Sequence, residues 1–431
     1  MNILKKVLNR ESFLYYSLFY LLFKYTFFNK GTILTYFLFL YAVLIWGLDI
    51  IENKGLYKFN GYIYSYLMCA SAFLSCIIVA HKLNVDAVKG LSIFFVNFFM
   101  YLPMFNSKSK EYIEEKFRFV FSVIIVYSFV VNLIGLIFAI CGLRVVFFGA
   151  PFGALYNQRI VTVRETANET GWFAIFSIVA SVYFIIKNKL NNNFILKKEI
   201  RLFLYLNIVL QVIIFILTKN RSAIVGTFAF LIVFMFILYK HTLNSHFKTM
   251  SISMMILVIA STAIYLVFRI SNSSTSDARR FDMIVFGLLY LKTVNPLFGS
   301  SYINLSEDLD KNFETIWNMF NFKSPKDSIK QLTQDGNAHN VFIQQIETNG
   351  LVGLIILILF FIYVFRQTYR FIMNIRMQDK DILIKSFFVF FIVFGFVTGN
   401  ISWNIVGTMT CFVNLLFFLS ISSVLEYNSY E

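Results

Sequence analysis

Residues 335–361 read DGNAHNVFIQQIETNGLVGLIILILFF. A polar run holding His339 gives way, past Glu347, Thr348 and Asn349, to an uncharged apolar segment that opens at Gly350. The second half of this stretch decides the fold, because runs like it recur along the chain with short basic segments between them. One helical crossing of the hydrocarbon core needs about 20 mostly apolar residues. Apolar residues make up 58% of the 431 and charged residues only 14%, and the mean hydropathy is +0.70. A water-soluble fold of this length cannot hide that much apolar surface. The chain is read as an all-α polytopic membrane protein, a single integral domain over 1–431, since spanning segments must satisfy their own backbone.

The apolar runs predict about twelve spans, near 12–28, 32–51, 61–80, 90–105, 119–142, 171–186, 202–217, 223–239, 251–270, 351–365, 386–398 and 405–424. The basic start MNILKKVLNR leads into an apolar run with no small-residue cleavage site, so it reads as an uncleaved first span. Cys69, Cys76, Cys141 and Cys411 lie in or beside apolar runs and read as buried thiols, not a disulfide framework or metal site. Lys and Arg favour alternate connections, among them Lys5, Lys6 and Arg10, then Lys108, Lys110, Lys116 and Arg118, then Arg366, Arg370 and Arg376. The positive-inside rule puts these segments and both termini in the cytoplasm. The net charge of +15 is then mainly a topology signal, not a nucleic-acid footprint. Most outer turns are short, but residues 143–170 and 271–349 form long extracytoplasmic loops, and long loops in compact proteins tend to be functional or disordered. The second loop has helical patterning. Ser306 can cap a helix with Glu307 and Asp308 in its first turn and Leu309, Phe313, Ile316, Trp317 and Phe320 on one face. Ser324, Pro325 and Asp327 repeat that logic. These amphipathic helices are expected to lie on the membrane and roof a cavity.

Few residues offer chemistry. His339 can exchange a proton near neutral pH and sits where a loop meets a span. An ordinary exposed histidine fits the same position. Asn340 could hold its ring in one tautomer. In TKNRSA (218–223) Arg221 is held in a tight turn between two spans, and DARRFD (277–282) supplies Arg279 and Arg280. Arg159 and Arg164 lie in the other long loop. The planar guanidinium fork suits phosphate, and each arginine alone also reads as an interfacial side chain that snorkels. Several arginines on the face opposite the basic connections favour the phosphate reading. NPLFGSSY (295–302) reads as a turn. Gly350 and Gly353 in TNGLVGL (348–354) stand in the first turn of a span, where glycine lets another helix or backbone approach, with plain helix packing the simpler account. Asp308 and Asp310 have a D-x-D spacing able to hold a divalent cation, but they fit an acidic helix start better. The sequence holds no P-loop, dinucleotide fingerprint, H-E-x-x-H or G-x-S-x-G.

In order, TKNRSA, RRFDMIVFGLLYLKTVNPLFGSS (279–301) and HNVFIQQIETNGLVGL (339–354) resemble three signatures of the bacterial O-antigen polymerase and O-antigen ligase superfamily. These are a Ser–Arg turn between two spans, then an arginine, an apolar helix and a Pro-x-x-Gly run, then a His-Asn, Glu and Gly-x-x-Gly run. The resemblance covers 218–355, and the first 140 residues match only as hydrophobic spans. Lys219 and Asn220 depart from the pattern, which often has a hydroxyl residue there, and the Arg279–Arg280 doublet offers two matches for one arginine. The resemblance implies a GT-C-like membrane glycosyltransferase acting on glycans carried by undecaprenyl diphosphate, at the outer face of the inner membrane. No cofactor, metal or nucleic acid is implied. The implied partners are the lipid-linked oligosaccharide as donor and acceptor, membrane lipids and other polysaccharide-assembly proteins. His339 would be the base, and Arg221 and Arg280, with Arg279 and Arg164 as secondary candidates, would hold the diphosphate. Asn340, Glu347 and Gly350 would support them. A polymerase of O-antigen or capsular repeat units is the first expectation, and a ligase that moves the glycan to lipid A core or another acceptor is the second. A transporter of lipid-linked sugars would show ionisable residues near the midplane and repeat symmetry. Here the spans carry little charge besides Lys24, Asp49 and Arg269, and no repeat is visible.

Overall fold

The structure, a computed structural model, describes residues 8–27, 32–52, 59–80, 91–142, 145–147, 150–152, 154–156, 159–161, 167–190, 196–241, 275–334, 340–375, 382–401 and 412–430. In chain order the helices are α1 (Arg10–Phe27), α2 (Thr32–Glu52), α3 (Tyr62–Ala80), α4 (Lys110–Ile140), α5 (Ala167–Leu190), α6 (Lys198–Thr218), α7 (Arg221–His241), α8 (Thr275–Tyr290), α9 (Ser301–Trp317), α10 (Lys326–Gln334), α11 (Val341–Asn374), α12 (Ile382–Ile401) and α13 (Phe412–Ser429). A π-helical segment occupies Val96–Tyr101. Among the described residues six helical stretches are long and apolar enough to cross a membrane: Tyr62–Val79, Lys110–Ile140, Glu169–Asn188, Lys198–Thr218, Val341–Asn374 and Ile382–Asn400.

The runs expected near 12–28, 32–51, 61–80, 171–186, 202–217, 223–239 and 386–398 coincide with α1, α2, α3, α5, α6, α7 and α12 to within a few residues. The run expected at 119–142 begins earlier, at Lys110, because Ser109 caps the helix by accepting from the Tyr112 N–H at 3.3 Å. Its charged first turns carry it beyond the apolar stretch. Of the run expected at 90–105, the described residues are helical over Leu91–Tyr101, about 16 Å at 1.5 Å per residue, and Pro103 follows. The run at 251–270 lies outside the described residues, and that at 405–424 is described only from Phe412. Cys141, expected among the buried thiols, is exposed just after α4. The loop at 143–170 carries short strands in two antiparallel hairpins, β1 (Val145–Phe147) with β2 (Ala150–Phe152) and β3 (Ala154–Tyr156) with β4 (Arg159–Val161). The β-branched and aromatic residues there favour extended backbone.

The chain forms two compact units. The first takes Met1–Leu38, Ser107–Thr227 and Ile375–Phe390. Helices α4, α5 and α6 pack together in it through Ala174, Leu210 and Ile214, with Phe129, Leu136 and Phe215 against them. A buried amide ladder crosses this packing. Asn132 Nδ2 donates to Gln211 Oε1 at 2.6 Å, Gln211 Nε2 to Asn207 Oδ1 at 3.0 Å, and Asn207 Nδ2 reaches the Ser177 and Ser181 hydroxyls at 2.9 Å each. Between lipid-embedded helices, where apolar contact alone gives little preference, such bonds fix the pairing. Near one end of these helices Lys187 pairs with Glu114, which also accepts from the Tyr183 hydroxyl. Lys116 binds Glu11 of α1 at 2.6 Å.

The second unit takes Phe39–Asn106, Phe228–Asn374 and Phe391–Glu431. Phenylalanines interlock its helices. Phe98 meets Phe360 and Phe418 edge-on, and Phe361 and Phe365 close on Phe396. Helices α8, α9 and α10 form a compact group around Phe286, Tyr290, Leu309, Phe313, Ile316 and Ile329. The apolar faces expected of the second long loop pack against α8 and one another. Helix α9 also starts five residues before the expected cap, at Ser301, so Ser306 lies inside it and Glu307 and Asp308 are not in its first turn. Phe320 falls beyond the helix and is exposed. Ser324 begins α10 through its N–H, not its hydroxyl: the N–H donates to Asp282 Oδ2 at 2.8 Å, which ties α10 to α8.

Candidate active site

Helix α11 is two helices, 341–349 and 351–374, broken at Gly350 (φ 63°, ψ −159°). The turn between α8 and α9 fills the break. Asn295 Oδ1 accepts from the N–H groups of Leu297 and Phe298 at 3.0 and 3.2 Å, which curls the turn. Pro296 and Leu297 then offer their carbonyls to the N–H groups of Leu351 and Val352 at 2.9 and 3.2 Å, and Ser300 N–H donates to Glu347 O at 2.9 Å. The two backbones satisfy each other's helix-end groups, which a break inside lipid requires. Ser75 of α3 sits on the junction, its hydroxyl 2.6 Å from Phe298 O and 2.8 Å from Thr348 O.

Two glycines make this approach possible. A Cβ on Gly350 would lie 2.4 Å from Leu297 C and O, and one on Gly299 (φ 66°) 2.6 Å from Glu347 O. Both also hold the left-handed backbone that glycine tolerates best. NPLFGSSY and TNGLVGL, which read from sequence as a turn and a helix start, are two halves of one joint.

The joint sets 341–349 beside α8. Gly287 of α8 leaves room there for Ile343 and Glu347: a Cβ would meet Ile343 Cγ2 at 2.3 Å and Glu347 Oε1 at 2.8 Å. Glu347 is 3% exposed. Around it the 341–349 helix is polar and buried. Gln345, Thr348 and Asn349 are all under 2% exposed, and both heteroatoms of the Gln345 and Asn349 amides lack protein partners. Buried amides are nearly always matched. Gln345 and Asn349, four residues apart, share one helix face, which lies against Gly353.

Arg221 belongs to the first unit. Lys219 ends α6 in the left-handed conformation (φ 48°), and Asn220 Oδ1 caps α7 by accepting from Ala223 N–H at 3.1 Å and from the Ser222 hydroxyl at 2.9 Å. The departure from the family pattern at 219–220 is thus a helix stop followed by a helix start. The turn is clamped on α5, where Trp172 Nε1 donates to Ser222 at 3.3 Å and Gly171 leaves room for the Asn220 side chain. Arg221 is the half-buried first residue of α7.

The other expected site residues divide as follows. His339 and Arg164 lie outside the described residues, as do the side chains of Arg279 and Arg280, whose backbone is in the first turns of α8. Asn340 is the cap of 341–349: its Oδ1 accepts from Phe342 and Ile343 N–H at 3.0 and 3.1 Å, and its Nδ2 donates to Asn400 O at 3.2 Å. The His339 ring that Asn340 was expected to hold lies outside the described residues. Asp308 and Asp310 are mid-helix, with Asp310 3.6 Å from Lys330. The structure brings Glu347 and Gly350 together with the helix bearing Arg279 and Arg280. Sequence reading missed Ser75, Gly287, Gly299, Gln345 and Asn349. Of these, only the four-residue spacing of Gln345 and Asn349 was a usable signal.

Residues 206–358 match the model of a family described as O-Antigen ligase. This stretch contains Arg221, Arg279, Arg280, His339, Glu347 and Gly350, while Arg164 falls outside it. The match supports the O-antigen polymerase/ligase superfamily. It does not separate polymerase from ligase. No curated protein matches the chain.

Proposed function

We propose that the protein is a GT-C-like polysaccharide polymerase of the inner membrane, joining undecaprenyl-diphosphate-linked oligosaccharide units at the extracytoplasmic face. The observation that carries this reading is the family match across 206–358, which takes in the Arg221 turn, the Arg279–Arg280 helix and the His339–Gly350 segment in order. In the proposed step His339 takes the proton from an acceptor sugar hydroxyl, and that oxygen attacks the anomeric carbon of the donor. The bond from the anomeric carbon to the diphosphate oxygen breaks, and the electron pair leaves with undecaprenyl diphosphate. Arg221 and Arg280, with Arg279 and Arg164 as secondary candidates, neutralise that leaving group. A lipid diphosphate already leaves readily, so the chemistry asks for positive charge and one base. The Gly299–Gly350 joint supplies a stiff frame for this chemistry. The ligase reading stays in view because the matched family is described by that activity.

Complementation of a strain lacking this gene tests the proposal, with surface glycan read as a gel ladder at matched membrane levels. Wild type should restore the full ladder, while His339→Ala, Arg221→Ala and Arg280→Ala should stop at single units. Long chains held on the lipid carrier, in cells without the gene, would mean a ligase. A normal ladder from all three variants would overturn the proposed site.

A further inference from the structure

From Gly350 to Arg370, α11 runs about 30 Å at 1.5 Å per residue, the thickness of a hydrocarbon core. At that far end the second unit holds a cavity of about 530 Å³, within the size range of small-ligand pockets. It is therefore a membrane thickness away from the joint and the residues around it. Among the described residues the lining has one cation, the exposed Arg370, and no carboxylate. The buried carboxyl of Glu426, on the helix that carries Leu425 and Asn428, lines not this cavity but a much smaller neighbouring depression that shares Asn60 and Leu425 with it. The other described polar groups of the wall are neutral: the amides of Asn60, Gln367, Asn374 and Asn428, the phenols of Tyr363 and Tyr369, and the exposed Ser429 hydroxyl. Asn428 Nδ2 donates to Gln367 O at 3.0 Å and Oε1 at 3.2 Å, and Asn428 Oδ1 is left buried without a protein partner. Gly61 (φ 87°) lets Tyr363 stand where it does, since a Cβ there would meet the ring at 3.1 Å.

One guanidinium among neutral donors and acceptors suits a singly charged phosphodiester that also carries hydroxyls. The approach to the cavity says whether that ligand is soluble or lipid. Ile355, Ile358, Ile362, Phe365 and Tyr369 are exposed apolar side chains at three- and four-residue steps along α11, and this stripe ends at the cavity. On a helix facing lipid, such a stripe is a track for acyl chains. The basic connection after α11 puts this end on the cytoplasmic side, where basic pockets between spans hold anionic headgroups.

We propose that this cavity binds the headgroup of an anionic glycerophospholipid, with Arg370 on its phosphodiester, the amides and phenol on its hydroxyls, and its chains along the α11 stripe. The inference does not depend on the glycosyltransferase reading. Native mass spectrometry of the full chain in detergent tests it, with phosphatidylglycerol, phosphatidylcholine or inorganic phosphate added. Phosphatidylglycerol should be retained about tenfold better than phosphatidylcholine, which shares the phosphodiester but has in place of the hydroxyls a trimethylammonium that cannot bond the amides and phenol, a difference worth about one hydrogen bond, and millimolar phosphate should not displace it. Arg370→Ala should lower the retention of both lipids. Ser429→Trp, which fills the cavity from its exposed rim, should lower occupancy even if Arg370→Ala misfolds. Equal retention of the two lipids would overturn the proposal, as would unchanged binding in both variants. Displacement by phosphate would mean a site for a soluble anion and would equally overturn it.

Discussion

Two buried polar sets, one in each unit, are built from the same amide side chains and end differently. In the first unit Asn132, Gln211 and Asn207 close on one another and on Ser177 and Ser181. In the second, Gln345 and Asn349 are 0% and 1% exposed, and all four amide heteroatoms lack a protein partner. A matched buried amide holds helices together, and an unmatched one costs about 1–3 kcal/mol. The first set explains its own presence as architecture. The second does not, and it lies within one helical turn of Glu347 and two of Gly350. Buried polarity that weakens the fold is what a substrate-binding region retains.

The most severe way to break the comparison is to remove the frame that holds the second set. Gly350→Ala puts a methyl 2.4 Å from the Leu297 carbonyl and forces alanine to φ 63°. We expect a loss of about 3 kcal/mol or more, seen as loss of the monodisperse peak in size-exclusion chromatography of the detergent-extracted protein. Gly47→Ala is the control, since its Cβ would meet nothing within 4 Å. Equal recovery of the two variants would mean the joint is not tight.

The next effect falls on the matched set. Asn207→Leu removes the residue that links Gln211 to Ser177 and Ser181, and it strands Gln211 Nε2. A loss of about 1–3 kcal/mol is expected, read as a lowered thermal unfolding midpoint in detergent. Substitution of Asn207 and Gln211 together, Asn207→Leu with Gln211→Leu, should cost less than the sum of the two singles, because neither partner is then stranded. Additive losses would show that the ladder does not act as a unit.

These two regions also differ in how far the sequence discloses them. The spans were legible because length and hydropathy alone bound a lipid-crossing helix, as with α3, α5 and α6. The start of α4 was not, since Lys110, Glu111 and Glu114 prolong a helix past its apolar run. The Ser306 cap had sound local chemistry, but α9 starts earlier because the preceding turn is held by Glu347 O at Ser300 N–H. The joint itself pairs 296–300 with 347–352, and no local pattern encodes a register between segments about 50 residues apart. Sequence could offer only that Gly350 permits a close approach. Of the candidate site, the motifs were legible as motifs. Their support by Ser75, Gly287 and Gly299 was not, because each acts through space on a distant backbone.

The smallest effect on stability is the one that sharpens the comparison most. Gln345→Leu replaces a side-chain amide that makes no bond with an apolar side chain of similar volume. If the second set were architecture like the first, this change would lower the unfolding midpoint as Asn207→Leu does. Because nothing in the protein is bonded to Gln345, stability should hold or rise, within about 1 kcal/mol. Glycan assembly should nonetheless fall by about tenfold, the worth of one substrate hydrogen bond in a dry site. The same membranes supply both readouts: the thermal midpoint and the glycan ladder at matched protein level. A stable variant with a normal ladder would show that the unmatched amides serve neither the fold nor the reaction. A stable variant with a shortened ladder would separate the two polar sets by function, since a single substitution of one amide type would then disrupt packing in one unit and chemistry in the other.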